Sequence, residues 1–261
     1  MSIATKLAEL TQIRTDIRTA LAGKGISSST HDFADFATDI GNIPSGGGGL
    51  PATYQQVDYI ETTGTQWINT NMLQVEWDQF VGDFEMTDNT YWNCLFGSSK
   101  SEADGTAISN KMLLMSDNDQ NKKLRLAYSG YWTVTGEAAL SVNTKYTIQV
   151  LAMMLNTQKI LVDGSSKLTT SHGQGSGSNT DTNPYPVALF TTTKGGVAIQ
   201  NTTGGNVKYP FCGKFYGGTF YLNFAKVREF VPCYRIADGV IGLYDLVGEQ
   251  FYTNAGTGTF I

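Results

Sequence analysis

The sequence is poor in histidine, and this shortage limits the kinds of catalysis that it can support. It contains only 2 histidines, His31 and His172. A serine or cysteine nucleophile needs a base such as histidine beside it. His31 lies in a short N-terminal helical region and His172 in a glycine-rich stretch, so neither has a plausible catalytic neighbour in the sequence. We therefore expect no serine-based or cysteine-based catalytic site.

Cysteines are few as well. The chain has 3 of them, Cys94, Cys212 and Cys233. They are far apart, odd in number and without the short spacings of metal ligands. A cysteine outside such patterns usually behaves as a small apolar core residue. The sequence therefore predicts three buried free thiols in a protein made in a reducing compartment.

Long apolar runs and excess positive charge are both missing. No run approaches the ~18 residues of a membrane-spanning helix. The first ten residues, MSIATKLAEL, lack the apolar core of a signal peptide. The net charge is −5 and the pI is about 5.0. Because nucleic acid and anionic lipid repel an acidic protein, we expect neither nucleic acid nor a membrane as a partner.

The composition that remains suits one large β domain with a small appendage. Hydrophobic residues make up 41% and aromatic residues 11% of the 261 residues, enough for a sizeable core. Charged residues make up only 16%, so Ser, Thr, Asn and Gly must supply much of the surface. Since a β-sandwich often reaches about 200–250 residues as one domain, a single sandwich accounts for most of the chain.

The N-terminal region predicts two helices and a linker. Over residues 3–22, apolar residues recur at spacings of three and four, the helical period. These residues are Ile3, Leu7, Leu10, Ile13, Ile17 and Leu21. A shorter helix is expected over about residues 30–40, with Phe33 and Phe36 on its apolar face. The glycine-rich residues 44–50 predict a flexible linker.

The helical residues 1–43 are too few to bury their apolar side chains among themselves. Residues 3, 7, 10, 14, 17 and 21 fit the a/d positions of a heptad. Arg14 is the one polar residue among them. Copies of the same helix would bury them, with help from the two phenylalanines. We interpret residues 1–43 as an oligomerising or anchoring segment. Packing of the helices on the β domain is the alternative.

Beyond the linker, residues 51–261 indicate a mainly β domain, an antiparallel two-sheet jelly-roll sandwich. Short segments of β-branched and aromatic residues alternate with turn residues, and no long helical pattern lies between them. The expected strands are residues 54–60, 66–70, 75–86, 92–96, 111–115, 123–128, 146–154, 159–162, 186–191 and 217–230. Residues 172–184 are rich in Gly, Ser and Asn and predict an exposed loop.

The last thirty residues predict a dense hairpin that closes the sandwich. Asp238 and Gly239 form a dipeptide typical of a two-residue type I′ turn. Residues 240–247 carry apolar side chains on both faces and predict a strand covered on both sides. Residues 250–253 begin another strand. The stretch contains no catalytic arrangement, so we interpret it as closure of the fold.

Several blocks of the β domain resemble the concanavalin A-like superfamily of laminin-G and lectin jelly rolls, in a version common in phages and prophages of gut bacteria. The opening block is VDYIETTGTQWINT and the closing block ends in GLYDLVGEQFYTNAGTGTF. The blocks span residues 57–70, 144–150, 160–164, 186–196 and 211–260. The N-terminal segment, with GKGI and FADFATDIGNI, is similar to the N-terminal segments of phage structural and fibre proteins.

This resemblance implies a virion appendage, either a head fibre or a tail-fibre or receptor-binding protein, assembled as a homotrimer. Residues 1–43 would then contact other capsid or tail proteins. Domains of this kind in phages are usually non-enzymatic and often contact glycans on the host surface or in mucus. The implied location is the virion, after synthesis in the cytoplasm of a bacterial host.

A glycan-degrading enzyme is the alternative with a specific motif to test. Laminarinase-type enzymes of the resembled superfamily carry Glu-x-Asp-x-x-Glu, which places three carboxylates on one strand face. Glu76 and Asp78 begin that pattern, but Val81 occupies the third position. One partner of the acid and nucleophile pair is therefore missing. We interpret Glu76 and Asp78 as solvated charges of a strand or loop.

A calcium site is a second alternative. Asp117, Asp119 and Asn121 stand at alternate positions, as in the first half of an EF-hand loop. The glycine expected at the sixth position is Lys122, and the glutamate expected at the twelfth is Tyr128. An Asn/Asp-rich hairpin turn explains the same residues without a metal. We expect no cofactor, with calcium left open.

Glycan binding needs exposed aromatic rings with polar side chains beside them. Two compact groups of aromatic residues are candidates for such rings. One group is Tyr128, Tyr131 and Trp132, and the other is Tyr91 and Trp92. Packing in the core is the alternative for each of them. A purely structural virion component without a ligand remains the second hypothesis for the whole chain.

Overall fold

The structure is a computed structural model of the chain. It describes residues 3–22, 35, 49–88, 92–99, 111–116, 123–128, 131–134, 140–151, 157–171, 185–194, 197–198 and 209–261. The chain divides into two compact units, Met1–Gly49 and Leu50–Ile261.

The first unit contains helix α1, Ile3–Ala22, so the predicted helix over residues 3–22 is confirmed. Within the chain, the side chains of Leu7 and Leu10 are 63% and 51% exposed. The predicted second helix, with Phe33 and Phe36, lies outside the described residues. Among the residues that are described, no helix is long and apolar enough to cross a membrane.

The second unit consists of two β-sheets. The larger has ten strands in the described residues, with eight in the order β11-β10-β9-β4-β15-β16-β17-β18, β1 beside β16 and β2 beside β15. Its strands are β1 Tyr54–Gln56, β2 Ile60–Thr63, β4 Gln79–Met86, β9 Lys145–Leu151, β10 Thr157–Val162, β11 Ser165–Ser171, β15 Cys212–Leu222, β16 Ala225–Arg235, β17 Ile241–Asp245 and β18 Gln250–Thr253.

The smaller sheet has eight strands in the described part of the chain, with six in the order β14-β13-β5-β6-β7-β8 and β12 joining β5 to β3. Its strands are β3 Ile68–Asn69, β5 Asn93–Ser99, β6 Lys111–Ser116, β7 Leu124–Tyr128, β8 Tyr131–Val134, β12 Ala188–Leu189, β13 Thr193–Lys194 and β14 Val197–Ala198. Every strand of the larger sheet pairs antiparallel with its neighbours in the described residues.

The core lies between the two sheets, because aromatic side chains of both sheets meet there. Phe80 of β4 contacts Phe96 of β5, with ring centroids 4.9 Å apart, and Phe220 of β15 at 4.6 Å. Trp77 packs edge-on against Phe96 and Phe220. Each fully buried aromatic side chain stabilises the fold by about 1.5–3 kcal/mol before entropy. The predicted antiparallel two-sheet jelly-roll sandwich is confirmed.

Two predicted strands are each divided in the structure. The strand predicted over residues 54–60 covers β1 and only the first residue of β2, and these two strands lie beside different strands, β16 and β15. Residues 217–230 form parts of β15 and β16, joined by a turn at Asn223 and Phe224. The second division was missed because a turn at Asn-Phe has no glycine or proline to mark it.

Other boundaries also differ from the predictions. Residues 74–76 form a 3-10 helix ahead of β4 rather than part of the strand predicted over residues 75–86. The strand predicted over residues 66–70 is only Ile68–Asn69. By contrast, β18 has the predicted bounds. The strand predicted over residues 240–247 is β17, which ends earlier, at Asp245.

The turn at Asp238 and Gly239 is not the two-residue type I′ turn that was predicted. Gly239 has a φ of +69°, whereas Asp238 is not among the residues with positive φ. The backbone N–H of Gly239 donates to the carbonyl of Arg235, four residues earlier. Arg235 also holds the Asp238 carboxylate, with Nη2 2.6 Å from Oδ2. The loop from β16 to β17 is therefore longer, and a side-chain ion pair supports it.

Candidate functional site

The outward face of the larger sheet carries a row of charged side chains. Along β4, residues alternate between buried and partly exposed positions, so Asp83 and Glu85 point away from the core. Glu85 stands opposite Lys214 of β15 on one side and Lys145 of β9 on the other. Asp83 stands opposite Thr147 of β9. The Thr147 hydroxyl donates a hydrogen bond to Oδ1 of Asp83 at 2.7 Å. Five neighbouring side chains from three strands therefore share one surface.

Tyr216 lies at an irregularity of β15 and joins this row. The register between β15 and β4 shifts between Phe215 and Gly217, which leaves Tyr216 unpaired. Bulges of this kind redirect a side chain. The Tyr216 hydroxyl donates to Oε2 of Glu85 at 2.6 Å. Its ring contacts the ring of Tyr59, with centroids 5.5 Å apart.

Both lysines of the row are held by a carboxylate and a ring. Nζ of Lys214 lies 3.2 Å from Oε1 of Glu85 and 4.8 Å from the Tyr59 ring centroid. Nζ of Lys145 lies 3.0 Å from Oδ2 of Asp83 and 4.2 Å from the Tyr216 ring centroid. The six residues are called the Tyr216 cluster, and they are Tyr59, Asp83, Glu85, Lys145, Lys214 and Tyr216.

The bonds within the cluster shift the pKa values of three of its members. The hydrogen bond from Tyr216 and the interaction with Lys214 lower the pKa of Glu85. Partial burial and the bond to Glu85 raise the pKa of Tyr216 to about 12. The same carboxylate raises the pKa of Lys214. At neutral pH, Glu85 is thus ionised, Lys214 is protonated and Tyr216 keeps its hydroxyl proton.

The cluster has the chemistry of a binding surface for a polar ligand. Tyr59 and Tyr216 are partly exposed rings on the outward face, and rings of this kind pack on apolar faces of a ligand. The carboxylates accept hydrogen bonds and the ammonium groups donate them. Because each polar group is already bonded to a neighbour, its position is fixed before a ligand arrives, which lowers the entropic cost of binding.

The sequence signal for this cluster is the alternation of apolar and polar residues along the two segments that form β4 and β15. Along β4, the outward Asp83 and Glu85 alternate with the buried Gly82 and Phe84. Lys214 and Tyr216 stand on either side of the buried Phe215. The sequence could therefore place these residues on outward faces, but not show that the faces adjoin.

Three of the aromatic residues predicted to bind glycans lie elsewhere, on the smaller sheet. Tyr128 of β7 and Tyr131 of β8 are opposite each other in register, and Trp132 is opposite Ala127. Trp92 is partly buried, and the guanidinium of Arg125 lies 4.9 Å from its ring centroid. Tyr91 lies outside the described residues. The assignment of these residues to a glycan site stays a prediction.

The residues considered for catalysis have structural partners. Glu76 lies in the 3-10 helix and its carboxylate accepts the Leu73 backbone N–H. The Asp78 carboxylate accepts the Asn223 backbone N–H at 2.8 Å and so supports the turn between β15 and β16. Val81 lies on β4, whereas Glu76 lies in the 3-10 helix before it. The positions of the Glu-x-Asp-x-x-Glu pattern therefore do not share one strand face.

The candidate calcium ligands Asp117, Asp119 and Asn121 lie outside the described residues, so the calcium site stays an open alternative. Among the residues that the structure does describe, no group of three or more His, Cys, Asp or Glu side chains could hold a metal.

Two further groups of reactive side chains are buried. Cys94, Cys212 and Cys233 are buried free thiols, as predicted, and burial raises the pKa of Cys212 and Cys233 to about 11. Asp245 is fully buried and accepts the Glu229 backbone N–H at 2.9 Å. Its other oxygen lies 3.3 Å from Nε of Arg228. The sequence showed no partner for Asp245 in the closing stretch, and the neighbouring strand β16 supplies it.

No protein-family model and no curated protein matches the sequence. Solved structures show similarity at low identity. The CBM40 of the Ruminococcus gnavus IT-sialidase, bound to α2,3-sialyllactose, is 16% identical, with a TM-score of 0.47 over 64% of this chain and 91% of that one. A putative carbohydrate-binding protein from Bacteroides ovatus is 12% identical, with a TM-score of 0.48 over 77% and 59%.

Domains LG4-5 of the mouse laminin α1 chain are 8% identical, with a TM-score of 0.44 over 68% of this chain and 45% of that one. Each of these TM-scores is below 0.5. The strand pairings of this chain are therefore the basis for its fold.

Proposed function

We propose that this protein is a non-enzymatic, glycan-binding appendage of a bacteriophage virion, a head fibre or a tail-fibre or receptor-binding protein. Residues 1–43 trimerise the chain and anchor it to a capsid or tail protein. The β domain faces outward and contacts glycans of the host surface or of mucus. The virion assignment rests on the resemblance of the sequence blocks given above.

The observation that supports glycan binding is the Tyr216 cluster. Sugar recognition combines an aromatic ring, which packs on the C–H face of a pyranose, with fixed polar groups that bond to its hydroxyls. Tyr59 and Tyr216 supply partly exposed rings. Glu85 and Lys214 are linked beside them at 3.2 Å and supply an acceptor and a donor.

The ionised state of Glu85 suits a hydrogen-bond acceptor and not the general acid of a glycosidase. A glycosidase needs one carboxyl group with a raised pKa to act as the general acid. The hydrogen bond from Tyr216 and the interaction with Lys214 instead lower the pKa of Glu85. Glu85 therefore remains an ionised acceptor at neutral pH, which suits a hydrogen bond to a sugar hydroxyl.

Helix α1 supports the oligomeric part of the proposal. Leu7 and Leu10 occupy neighbouring a and d positions, and both are exposed within the chain. Association of three helices would cover them. Three copies of a weak site on one trimer would raise the avidity for a glycan-coated surface by roughly 10²–10⁴. This gain is the physical reason to combine the helix with a weak binding domain.

The test is a glycan array probed with the full-length protein and with three variants. Tyr59→Ala removes a ring from the cluster, and Lys214→Ala removes a donor. Trp92→Ala changes the predicted aromatic group on the smaller sheet. We expect the wild type and Trp92→Ala to bind the same glycans, and the two cluster variants to lose them. Circular dichroism of each variant checks that it is folded.

Each other result has a definite meaning. If Trp92→Ala loses binding and the cluster variants keep it, the site lies on the smaller sheet, as the sequence predicted. If the wild type binds no glycan, the protein is a purely structural component. Release of sugars that stops in Glu76→Gln would contradict the non-enzymatic assignment.

A further inference from the structure

The surroundings of the Tyr216 cluster carry an excess of negative charge. Within the cluster, the carboxylates of Asp83 and Glu85 balance the ammonium groups of Lys145 and Lys214. Glu61 of β2 stands opposite Lys214 in register, on the side away from Glu85. Glu61 thus adds a carboxylate to the row, and no salt bridge of Glu61 is found within the described part of the chain.

A second unbalanced carboxylate borders the cluster on its other side. Asp163 follows β10, and its Oδ1 accepts the Thr147 backbone N–H at 2.9 Å. Thr147 is the residue whose hydroxyl bonds to Asp83. Among these six groups, which lie on strands β2, β15, β4 and β9 and at the end of β10, four carboxylates outnumber two ammonium groups.

Both lysines already have a carboxylate partner. Nζ of Lys214 contacts Glu85 at 3.2 Å, and Nζ of Lys145 contacts Asp83 at 3.0 Å. Each ammonium also lies over a tyrosine ring. A carboxylate or sulfate on a sugar that approached either ammonium would therefore also lie close to Glu85 or Asp83, which carry the same charge.

We infer that the Tyr216 cluster selects neutral glycans and rejects sugars that carry a carboxylate or a sulfate. This inference rests on the proposed glycan-binding function and specifies its ligand class. Hydroxyl groups of a neutral sugar can donate to the ionised Glu85 and Asp83 and leave both ion pairs intact. An acidic sugar brings its charge to a surface that is already negative, and like charges placed together oppose binding.

The expected discrimination is about fivefold or more at low salt, the scale of one unscreened pair of like charges close together in water. It should decrease as salt is added, because the screening length falls to about 3 Å at 1 M. A preference that comes only from the shape of the sugar would not change with salt.

The experiment uses an array in which each sialylated or sulfated glycan is printed beside its neutral parent. Full-length wild-type protein is measured at low and at high salt. Glu61→Gln removes one of the excess charges without changing a member of the cluster. Glu249→Gln is the matched control, because it removes one charge from the turn between β17 and β18, which are three and four places from β4 in the sheet order.

We expect the wild type to bind neutral parents at least fivefold more strongly than their acidic partners. This ratio of neutral to acidic binding should be smaller in Glu61→Gln and at high salt. It should not change in Glu249→Gln. Stronger binding of the acidic members would overturn the inference and leave the glycan-binding function intact. Binding of neither member of any pair would overturn both. A ratio unaffected by Glu61→Gln and by salt would show that charge at the cluster does not select the ligand.

Discussion

The side-chain Nε2 of Gln66 donates a hydrogen bond to the carbonyl oxygen of Thr259 at 2.9 Å, across 193 residues of sequence. Its Oε1 accepts the Thr63 backbone N–H at 2.9 Å. Close by, Asn254 accepts the Trp67 backbone N–H at 3.1 Å. The opening and closing sequence blocks, which carried the resemblance to the superfamily, are thus bonded to each other. Their joint pattern reflects one structural contact.

Replacing Gln66 should destabilise the β domain. The side chain is only 4% exposed, and Gln66→Ala removes its hydrogen bonds to the Thr63 N–H and the Thr259 carbonyl. Two such bonds contribute about 1–3 kcal/mol, at roughly 0.5–1.5 kcal/mol each. We expect the free energy of unfolding, measured with urea, to fall by this amount. Gln55→Ala, at an exposed position, is the control and should change it by less than about 0.5 kcal/mol.

Removing the Tyr216 hydroxyl should change how stability depends on pH. The hydroxyl is the largest cause of the lowered pKa of Glu85, so in Tyr216→Phe that pKa should rise towards its ordinary value of 4.5. A lowered pKa in the folded state contributes stability above the ordinary value, and this contribution is lost as the pH falls through the folded value.

The wild type should therefore exceed Tyr216→Phe in stability at neutral pH, and the difference should shrink as the pH falls below 4.5. Urea unfolding of both proteins across this range measures it. The same difference at every pH would mean that the hydroxyl does not act through the ionised form of Glu85.

Glycine at the Phe224 position should stabilise the protein. Phe224 has a φ of +66° in the turn between β15 and β16, and its side chain is 73% exposed. A side chain with a Cβ in this left-handed conformation costs about 1–2 kcal/mol. Phe224→Gly removes that cost, and part of the gain is offset because glycine is more flexible in the unfolded chain. We expect a net gain of about 0.5–1 kcal/mol, seen as a higher melting temperature.

Phe224→Ala is the matched variant, because it removes the ring and keeps the Cβ. It should give no gain in stability. If Ala and Gly stabilise the protein equally, the ring rather than the backbone conformation causes the cost.

Charged residues on the apolar face of α1 should dissociate the oligomer. Sedimentation of the full-length protein should give three chains, and Leu7→Lys combined with Leu10→Lys should give one. A chain that begins at Leu50 should also be monomeric. The control places lysines at Thr5 and Thr19, on the opposite face of the heptad, and should remain a trimer. A monomeric wild type would rule out self-association and leave anchoring to another virion protein.

Local sequence was enough to place some elements because their cause is local. The helical period of apolar residues predicted the bounds of α1, and the buried residues Phe80, Gly82, Phe84 and Met86 recur along β4 with the period of two that a strand requires. The turn at Asn223 and Phe224 was missed because it contains no glycine or proline, and because the Asp78 carboxylate that supports it stands 145 residues away. A turn held by a distant side chain leaves no mark in its own residues.

The Tyr216 cluster was decided by tertiary structure alone. The bonds of Glu85 to Lys214 and to Tyr216 join residues 129 and 131 positions apart. Alternation along each strand could determine which residues point outward. Which outward residues meet depends on the order and register of the strands, and a shift of one residue would turn a strand's outward side chains to the other face. The sequence determined the sandwich and the helix, while strand pairing determined the surface on which a ligand is proposed to bind.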